Sequence, residues 1–238
     1  GDGDGISDEN DAFPADPDRS SDADGDGFDD LEDGCMLDAG NSTIDRFGCT
    51  DSDGDGYSDG DAQWTTVNGS DAFPNEATQH ADQDGDGYGD NVVGFEADDC
   101  PTTPGTSFRD VFGCADEDTD GMSDASDAFL GEPTQWSDSD GDGYGDEENG
   151  TQGDACPSVA GTSTNDVYGC VDSDGDGYSD INDVWPSDNT QWYDDDMDGF
   201  GDESSGTAPD QCPDEYGTAF RGNLIGCPDT DGAVSYTH

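Results

Sequence analysis

The chain has 238 residues, of which 63 are Asp or Glu and four are Arg, giving a formal net charge of −59 at pH 7. This charge excludes binding to nucleic acids and to anionic membrane surfaces, because both require clustered basic residues. Only 28% of the residues are hydrophobic, against about 45–50% in globular domains, so a conventional hydrophobic core is excluded as well.

Two options remain for such a chain: a disordered, solvated acidic tract, or acidic loops held together by cations. An enzyme is not expected, since there are two histidines, no lysine and no lone nucleophile paired with a base. No apolar run approaches the roughly 18 residues of a membrane span, so no membrane insertion is expected. The chain also lacks a signal segment and an initiator Met, which suggests a piece of a longer precursor.

A motif of the form D-x-D-x-D-G-x-x-D recurs along the chain and is the main predicted element. An eighth copy at the N-terminus lacks its first Asp, and a further copy begins near the C-terminus. A solvated acidic tract has no reason to keep the Gly in fixed register. The seven complete copies begin at Asp22, Asp51, Asp82, Asp116, Asp138, Asp172 and Asp194.

The copies alternate between two settings, here called A loops and B loops. An A loop is followed by a segment such as Asp71-Ala-Phe-Pro, and a B loop is followed by Asp-x-Cys and later by Gly-Cys. One A loop and one B loop form a repeat of about 56 residues, with a nine-residue insert between Asp59 and Asp71 in repeat 2. The predicted units are repeats 1 to 4 and the start of a further loop, at 1–49, 50–114, 115–170, 171–227 and 228–238.

The loop motif is typical of a calcium site, in which carboxylates at positions 1, 3 and 5 and a backbone carbonyl at position 7 surround one ion. Gly at position 6 permits the sharp turn, and a further Asp stands at position 9. In chain order the predicted ligands at these five positions are Asp2, Asp4, Ile6 and Asp8; Asp22, Asp24, Asp26, Phe28 and Asp30; Asp51, Asp53, Asp55, Tyr57 and Asp59; Asp82, Asp84, Asp86, Tyr88 and Asp90; Asp116, Asp118, Asp120, Met122 and Asp124; Asp138, Asp140, Asp142, Tyr144 and Asp146; Asp172, Asp174, Asp176, Tyr178 and Asp180; Asp194, Asp196, Asp198, Phe200 and Asp202; and Asp229 and Asp231.

A closing ligand is predicted at position 12 of each loop. Where nothing is inserted after position 9, this residue is Asp11, Asp33, Asp127 or Asp183. After insertions, alignment of the repeats predicts that the site is closed from beyond a protruding hairpin or turn. The four residues in that setting are Asp71, Asp98, Asp154 and Asp210.

The expected cofactor is Ca²⁺, with at least seven ions, one for each complete loop. Seven divalent ions neutralise only part of the −59 charge, so more ions than loops are expected. Further candidate ligands stand five residues after each closing Asp of an A loop, and the alternative is that they are ordinary surface acids. These four are Asp16, Glu76, Glu132 and Asp188.

The pattern D-x-D-x-D-G-x-x-D-x-x-D, in tandem with Cys and Pro between copies, resembles thrombospondin type 3 repeats, specifically the long-period form in surface proteins of marine microbes. The resemblance covers Gly3 to Asp231 and implies extracellular calcium binding by an irregular backbone wrapped around ions. The loops differ from EF-hands, which end in Glu and are flanked by helices. The longer repeat and the placement of the Cys residues depart from the family pattern.

The eight Cys residues fall into pairs spaced 14 or 15 residues apart, one pair per repeat. An even count in this arrangement indicates an oxidising, extracellular compartment. Zinc binding is excluded because the Cys residues stand singly, without C-x-x-C spacing. Among 105 pairings the local one follows the repeat and joins Cys35 to Cys49, Cys100 to Cys114, Cys156 to Cys170, and Cys212 to Cys227.

N-glycosylation sequons occur at Asn41, Asn68 and Asn149. Two of them lie in inserts, where exposure is expected. Chance occurrence in a chain rich in Ser, Thr and Asn is the alternative to attached glycans.

The predicted fold class is mostly irregular coil with few short β-strands, in a tandem, extended array of repeats stapled by calcium and disulfides. The predicted function is a calcium-stiffened extracellular structural protein, a component of a cell-surface stalk or filament. The alternative is a calcium-dependent adhesion or spacer module of a larger surface protein. A calcium sensor is disfavoured because no flanking helices are predicted.

Part of a calcium loop stands at each end of the sequence. If copies associate head to tail, Asp229 or Asp231 of one copy completes the loop that begins at Asp2 of the next, and such contacts propagate into filaments. The alternative is that the sequence was cut from a longer array.

Overall fold

The computed structural model describes residues 1–220 and 224–229. The chain divides into two compact units, Gly1–Ser126 and Asp127–His238. The boundary falls inside repeat 3, and the division into four repeats remains a prediction from the sequence.

The backbone is almost entirely irregular, as predicted. Within the described part of the chain, the regular structure consists of one turn of 3₁₀ helix, Thr66–Asn68, in the insert of repeat 2. The short strands expected in the inserts are reduced to isolated parallel bridges, which join Asp59 to Asp71, Gly89 to Ala97, and Asp154 to Tyr168.

Aspartate side chains, instead of neighbouring strands or helical turns, satisfy much of the loop backbone. In the loop from Asp51, the two carboxylate oxygens of Asp51 accept the amides of Gly54 and Gly56, at 2.7 and 2.9 Å. Asp55 accepts the amide of Tyr57 at 2.8 Å. Because short acidic side chains compete for amide donors in this way, the sequence forms successive turns and not regular elements.

The interior of the molecule is polar. Among the described residues, the only buried hydrophobic side chains are those of Cys49, Cys170 and Cys227. The largest fully buried side chains include Gln79 and Gln135, and several serines are completely inaccessible. The fold therefore lacks a conventional hydrophobic core, which agrees with the prediction from composition.

Four disulfides join the predicted local pairs, Cys35–Cys49, Cys100–Cys114, Cys156–Cys170 and Cys212–Cys227. No free cysteine is present. In the chain-entropy account, closing a loop of about 15 residues contributes about 3 kcal/mol, so the disulfides replace part of the missing core.

Each of the first three disulfide-closed segments is tied to the A loop that follows it by a pair of hydrogen bonds. The buried Ser58 donates its amide and its hydroxyl to the two oxygens of Asp45, at 2.8 and 2.6 Å. The same bonds join Ser123 to Asp110 at 2.9 and 2.6 Å, and Ser179 to Asp166 at 3.0 and 2.5 Å. This connection fixes the register between neighbouring parts of the chain.

In each of the last three B loops, five extra residues, here called the excursion, stand between position 9 and the closing Asp. A buried glutamine supports each excursion. Gln135 is 1% exposed. Its amide oxygen accepts the backbone amide of Glu147 at 3.0 Å, and its nitrogen donates to the carbonyls of Glu147 and Thr151, at 3.0 and 3.2 Å. Gln79 and Gln191 make the corresponding bonds. Repeat 1 lacks the excursion, and Arg19 stands in this register.

Replacing Gln135 with Ala should destabilise the second unit by about 1–3 kcal/mol, because the backbone groups of Glu147 and Thr151 lose the hydrogen bonds that the buried side chain makes to them. The change is measured as a shift in the free energy of unfolding by denaturant at saturating calcium. Gln63→Ala is the control, since Gln63 is exposed and its loss should change stability by less than about 0.5 kcal/mol. Equal effects of the two substitutions would contradict the supporting role of the buried glutamine.

No helix in the described parts of the chain is long and apolar enough to cross a membrane.

Candidate metal centres

Acidic side chains from successive loop positions converge on common points. In each group, one carboxylate oxygen per residue lies within 4.8 Å of the others. The described residues form eight groups of this kind. Five of them are Asp2, Asp4 and Asp11; Asp22, Asp24 and Asp26; Asp51, Asp53 and Asp55; Asp82, Asp84 and Asp86; and Asp116, Asp118 and Asp120. The repeated sequence motif therefore folds into a repeated cluster of oxygen atoms.

Hydrogen bonds within each loop orient these carboxylates. The position 5 carboxylate accepts the amide of position 7 in all eight loops, as when Asp142 accepts from Tyr144 at 2.9 Å. The Gly at position 6 has φ between +91° and +101° in all eight loops, a conformation in which a side chain is strained. This turn brings the oxygens of positions 1, 3 and 5 to one side of the backbone.

The carbonyl oxygens at position 7 also lack donors. Among the described residues, no backbone amide or side chain donates a hydrogen bond to the position 7 carbonyl in any of the eight loops. Sequence analysis predicts a metal ligand at this atom, and the structure leaves the atom available for one.

The four closing residues that follow insertions lie beside the loops to which the repeat alignment assigns them. The amides of Asp71, Asp98, Asp154 and Asp210 donate to the carbonyl of position 8 in those loops, over 2.7–2.9 Å. Asp33 and Asp183, which follow no insertion, make the same bond at 2.9 Å. The closing residue therefore makes the same contact with its loop whether or not an insertion precedes it. Asp127, the residue in this register for the loop from Asp116, belongs to the second unit.

The electrostatics of the closing residues indicate the same neighbours. Burial raises the pKa of Asp71 to about 6, and repulsion from the carboxylates at positions 5, 3 and 9 of its loop contributes to the rise. Burial, followed by repulsion from the same three positions, also raises the pKa values of Asp98, Asp154 and Asp183. Like charges therefore meet at these four clusters.

Other acids behave in the opposite way and distinguish structural carboxylates from candidate metal-binding carboxylates. Burial alone would raise the pKa of Asp45, but hydrogen bonds from Ser58, Trp64 and backbone amides lower it below its usual value. The pKa values of Asp110 and Asp166 are lowered for the same reason. Both oxygens of each of these acids accept hydrogen bonds, whereas each position 3 carboxylate of the loops retains a buried oxygen without a donor.

Carboxylate oxygens without partners provide a direct test of whether a cation fits. In all eight loops, the position 3 carboxylate has an oxygen that is shielded from solvent and accepts no hydrogen bond: Asp2, Asp24, Asp53, Asp84, Asp118, Asp140, Asp174 and Asp196. The closing residues Asp11, Asp71, Asp98, Asp154 and Asp210 have such an oxygen too. Burying a charged carboxylate oxygen is strongly unfavourable unless a hydrogen-bond donor, an opposite charge or a metal ion contacts it. The donor set is all oxygen, which suits Ca²⁺.

The A and B loops differ in how the position 5 carboxylate is held. In B loops its second oxygen accepts the amide of the Gly that lies five residues after the first Cys, as Asp86 accepts from Gly105 at 2.9 Å. In the A loops the second oxygens of Asp120 and Asp176 have no partner. Each disulfide-closed segment therefore positions a B-loop carboxylate.

A second glycine of the same segment makes room for the closing residue. Gly113, which precedes the second Cys, has φ +71°, and a Cβ on it would lie 2.3 Å from Oδ1 of Asp98 and 3.2 Å from Oδ2 of Asp86. Gly48, Gly169 and Gly226 are equally close to the closing residues of their own B loops. The Gly-Cys dipeptide thus allows the backbone to approach the cluster closely.

The apolar residues at position 7 form small aromatic contacts outside the clusters. In B loops they pack on the residue two before the second Cys, for example Tyr88 on Phe112 at 5.7 Å and Tyr144 on Tyr168 at 5.6 Å. In A loops Tyr57 stacks on His80 at 3.9 Å and Tyr178 on Trp192 at 4.9 Å. In the described residues these contacts join two or three rings each and do not form a continuous core.

The remaining predicted sites have different environments. Glu132 and Asp188 accept hydrogen bonds from the hydroxyls of Thr134 and Thr190, which favours a structural role for the acids five residues after the closing Asp. The three sequon asparagines, Asn41, Asn68 and Asn149, are exposed, and their glycosylation remains a prediction. Asp229 is exposed. Asp231 lies outside the described residues, so the predicted C-terminal half-site is not described.

Sequence reasoning missed two sets of structural residues, and both had a signal. The buried glutamines recur at the repeat spacing, and a Ser at position 8 of A loops recurs with an Asp four residues before the second Cys. Their role follows only from the bonds that they make, because nothing in the residue types distinguishes these acids from metal ligands.

A scan against protein-family models finds no match to the chain, and a search of curated proteins finds none either.

Proposed function

We propose that the protein is a calcium-binding repeat protein, in which each acidic loop holds one Ca²⁺. The observation that carries the proposal is the shielded, unpaired oxygen of the position 3 carboxylate in all eight loops. With no Lys in the chain and four Arg, a bound cation is the partner that can satisfy so many buried carboxylates. The position 7 carbonyls, which also lack donors, complete an oxygen-only ligand set.

More specifically, we infer an extracellular structural role of the kind implied by the resemblance to thrombospondin type 3 repeats. Four disulfides favour an oxidising compartment, and extracellular calcium is abundant enough to fill sites of modest affinity. Loops clamped by ions at short intervals make a stiff chain, which is the property required of a cell-surface stalk or filament. Head-to-tail association of copies belongs to this proposal.

The proposal is tested by counting bound calcium in single-site variants. Asp140→Ala removes a position 3 carboxylate whose second oxygen is buried and unpaired, so equilibrium dialysis at millimolar calcium should find one ion fewer per chain. Asp214→Ala is the control, since Asp214 is exposed and the substitution changes the net charge equally. Binding of fewer than one ion per complete loop in the wild-type protein, or the same loss in both variants, would refute calcium coordination by the loops.

A further inference from the structure

The insert of repeat 2 contributes to a cavity of about 350 Å³ in the first unit, partly open to solvent. Thr66 and Ser70 of the insert line it, together with Tyr57 from the loop beginning at Asp51 and Asp90 from the loop beginning at Asp82. Repeat 2 alone carries this nine-residue insert, so the cavity is a local addition to the repeat plan. A volume of this size lies in the range of small-molecule sites.

The corresponding position in repeat 4 is filled by aromatic side chains. There Tyr178 packs on Trp192, with ring centroids 4.9 Å apart, and on Tyr193 at 5.4 Å. In repeat 2 the equivalent Tyr57 stacks on the smaller ring of His80 at 3.9 Å, and Ala81 stands in the register of Tyr193. Replacement of Tyr by Ala at this register leaves one side of the aromatic pair open to the cavity.

Polar groups around the cavity are not used by the fold. Ser70 is 3% exposed and its hydroxyl has no hydrogen-bond partner. The side chains of Thr66, His80 and Gln83 make no hydrogen bond to the described residues. Most of these uncommitted groups are neutral and able to donate or accept.

The loop beginning at Asp82 also differs from its copies on the side that faces the cavity. In the six other complete loops, the position 9 carboxylate accepts the amide of position 2, as Asp146 accepts from Ser139 at 3.1 Å. Among the described contacts, no such bond joins Gln83 to Asp90. The cavity therefore borders a part of the loop that the fold itself constrains less.

We propose that this cavity binds a neutral polyhydroxy compound of the size of a monosaccharide. Hydroxyl groups on such a ligand would satisfy Ser70, Thr66 and Gln83, and its C–H face would pack against Tyr57 and His80. Anionic ligands are excluded by Asp82 and Asp90. A cationic amine is disfavoured because Asp90 is engaged by calcium in the proposed function, the one step that rests on that proposal, and because Thr66, Ser70 and Gln83 are neutral.

The test uses calcium-loaded full-length protein and three probes: methyl β-D-glucopyranoside, methyl α-D-mannopyranoside and methyl β-D-galactopyranoside. Titration monitored by NMR should show at least one of them shifting the ring signals of His80, with millimolar affinity. Ala81→Tyr, which copies the residue of repeat 4, should weaken this binding at least tenfold. Ser137→Tyr, which introduces a Tyr at the same register of repeat 3, should leave it unchanged.

Several outcomes would overturn the proposal: no response of His80 to any of the probes, equal binding by the wild type and Ala81→Tyr, or a response to n-butylammonium in place of the glycosides. Calcium stoichiometry is measured on the same samples. Unchanged stoichiometry in Ala81→Tyr shows that the loss concerns the cavity alone, whereas a wild-type protein without bound calcium refutes the proposed function instead.

Discussion

Removal of calcium with excess EGTA is expected to unfold the chain while its four disulfides remain intact. A site with a dissociation constant near 0.1 mM, at a seawater-like calcium concentration of about 10 mM, contributes roughly 2.7 kcal/mol. The summed contribution of seven such sites exceeds the free energy of unfolding of a typical domain, which is roughly 5–15 kcal/mol. Without the ions, the buried carboxylates repel one another and the sparse aromatic pairs cannot compensate.

The hydrodynamic radius, measured by light scattering before and after chelation, should increase and then recover when calcium is restored. A sample given EGTA together with excess calcium controls for the chelator itself. Titration of the free thiols confirms that no disulfide has opened. An unchanged radius in EGTA would show that the fold does not depend on bound ions.

Replacement of Gly105 by Ala is expected to be among the most disruptive single substitutions. A Cβ at this position would lie 1.9 Å from the carbonyl oxygen of Cys114, and a backbone atom so close cannot move aside as a side chain can. The amide of Gly105 also donates to the position 5 carboxylate, Asp86, at 2.9 Å. We expect a loss of about 3 kcal/mol or more in the free energy of unfolding, together with the ion of the loop from Asp82.

Gly131→Ala provides the matched control, because nothing lies within 4 Å of a Cβ at that position. Denaturant unfolding and calcium counting are performed on both variants. Similar unfolding midpoints and equal calcium counts in the two would contradict the close approach between the Gly105 backbone and the disulfide.

The sequence by itself predicts much of the fold, because the information is carried by short-range patterns. Asp and Gly at fixed spacing specify the turn, and the repeated Cys spacing specifies which residues lie near each other in every repeat. The irregular backbone, the lack of a hydrophobic core and the four disulfide pairs could therefore be predicted. Comparison of repeats even placed Asp98 and Asp154 beside their loops, since an insertion that loops out leaves its flanking residues in register.

Only the tertiary structure assigns roles to acids that are identical in type. Asp45 is half-buried and Asp71 is buried, yet Ser58 and Trp64 donate to the first, whereas the second faces other carboxylates. The same is true of Gln135, whose buried amide is indistinguishable in sequence from an exposed one. Partners of this kind lie 12 to 19 residues apart, and which donor reaches which acceptor depends on how the turns stack. The sequence thus determined the loops and the disulfide pairs, while the packing of turns against one another decided which carboxylates are satisfied by hydrogen bonds and which retain a buried, unpaired oxygen.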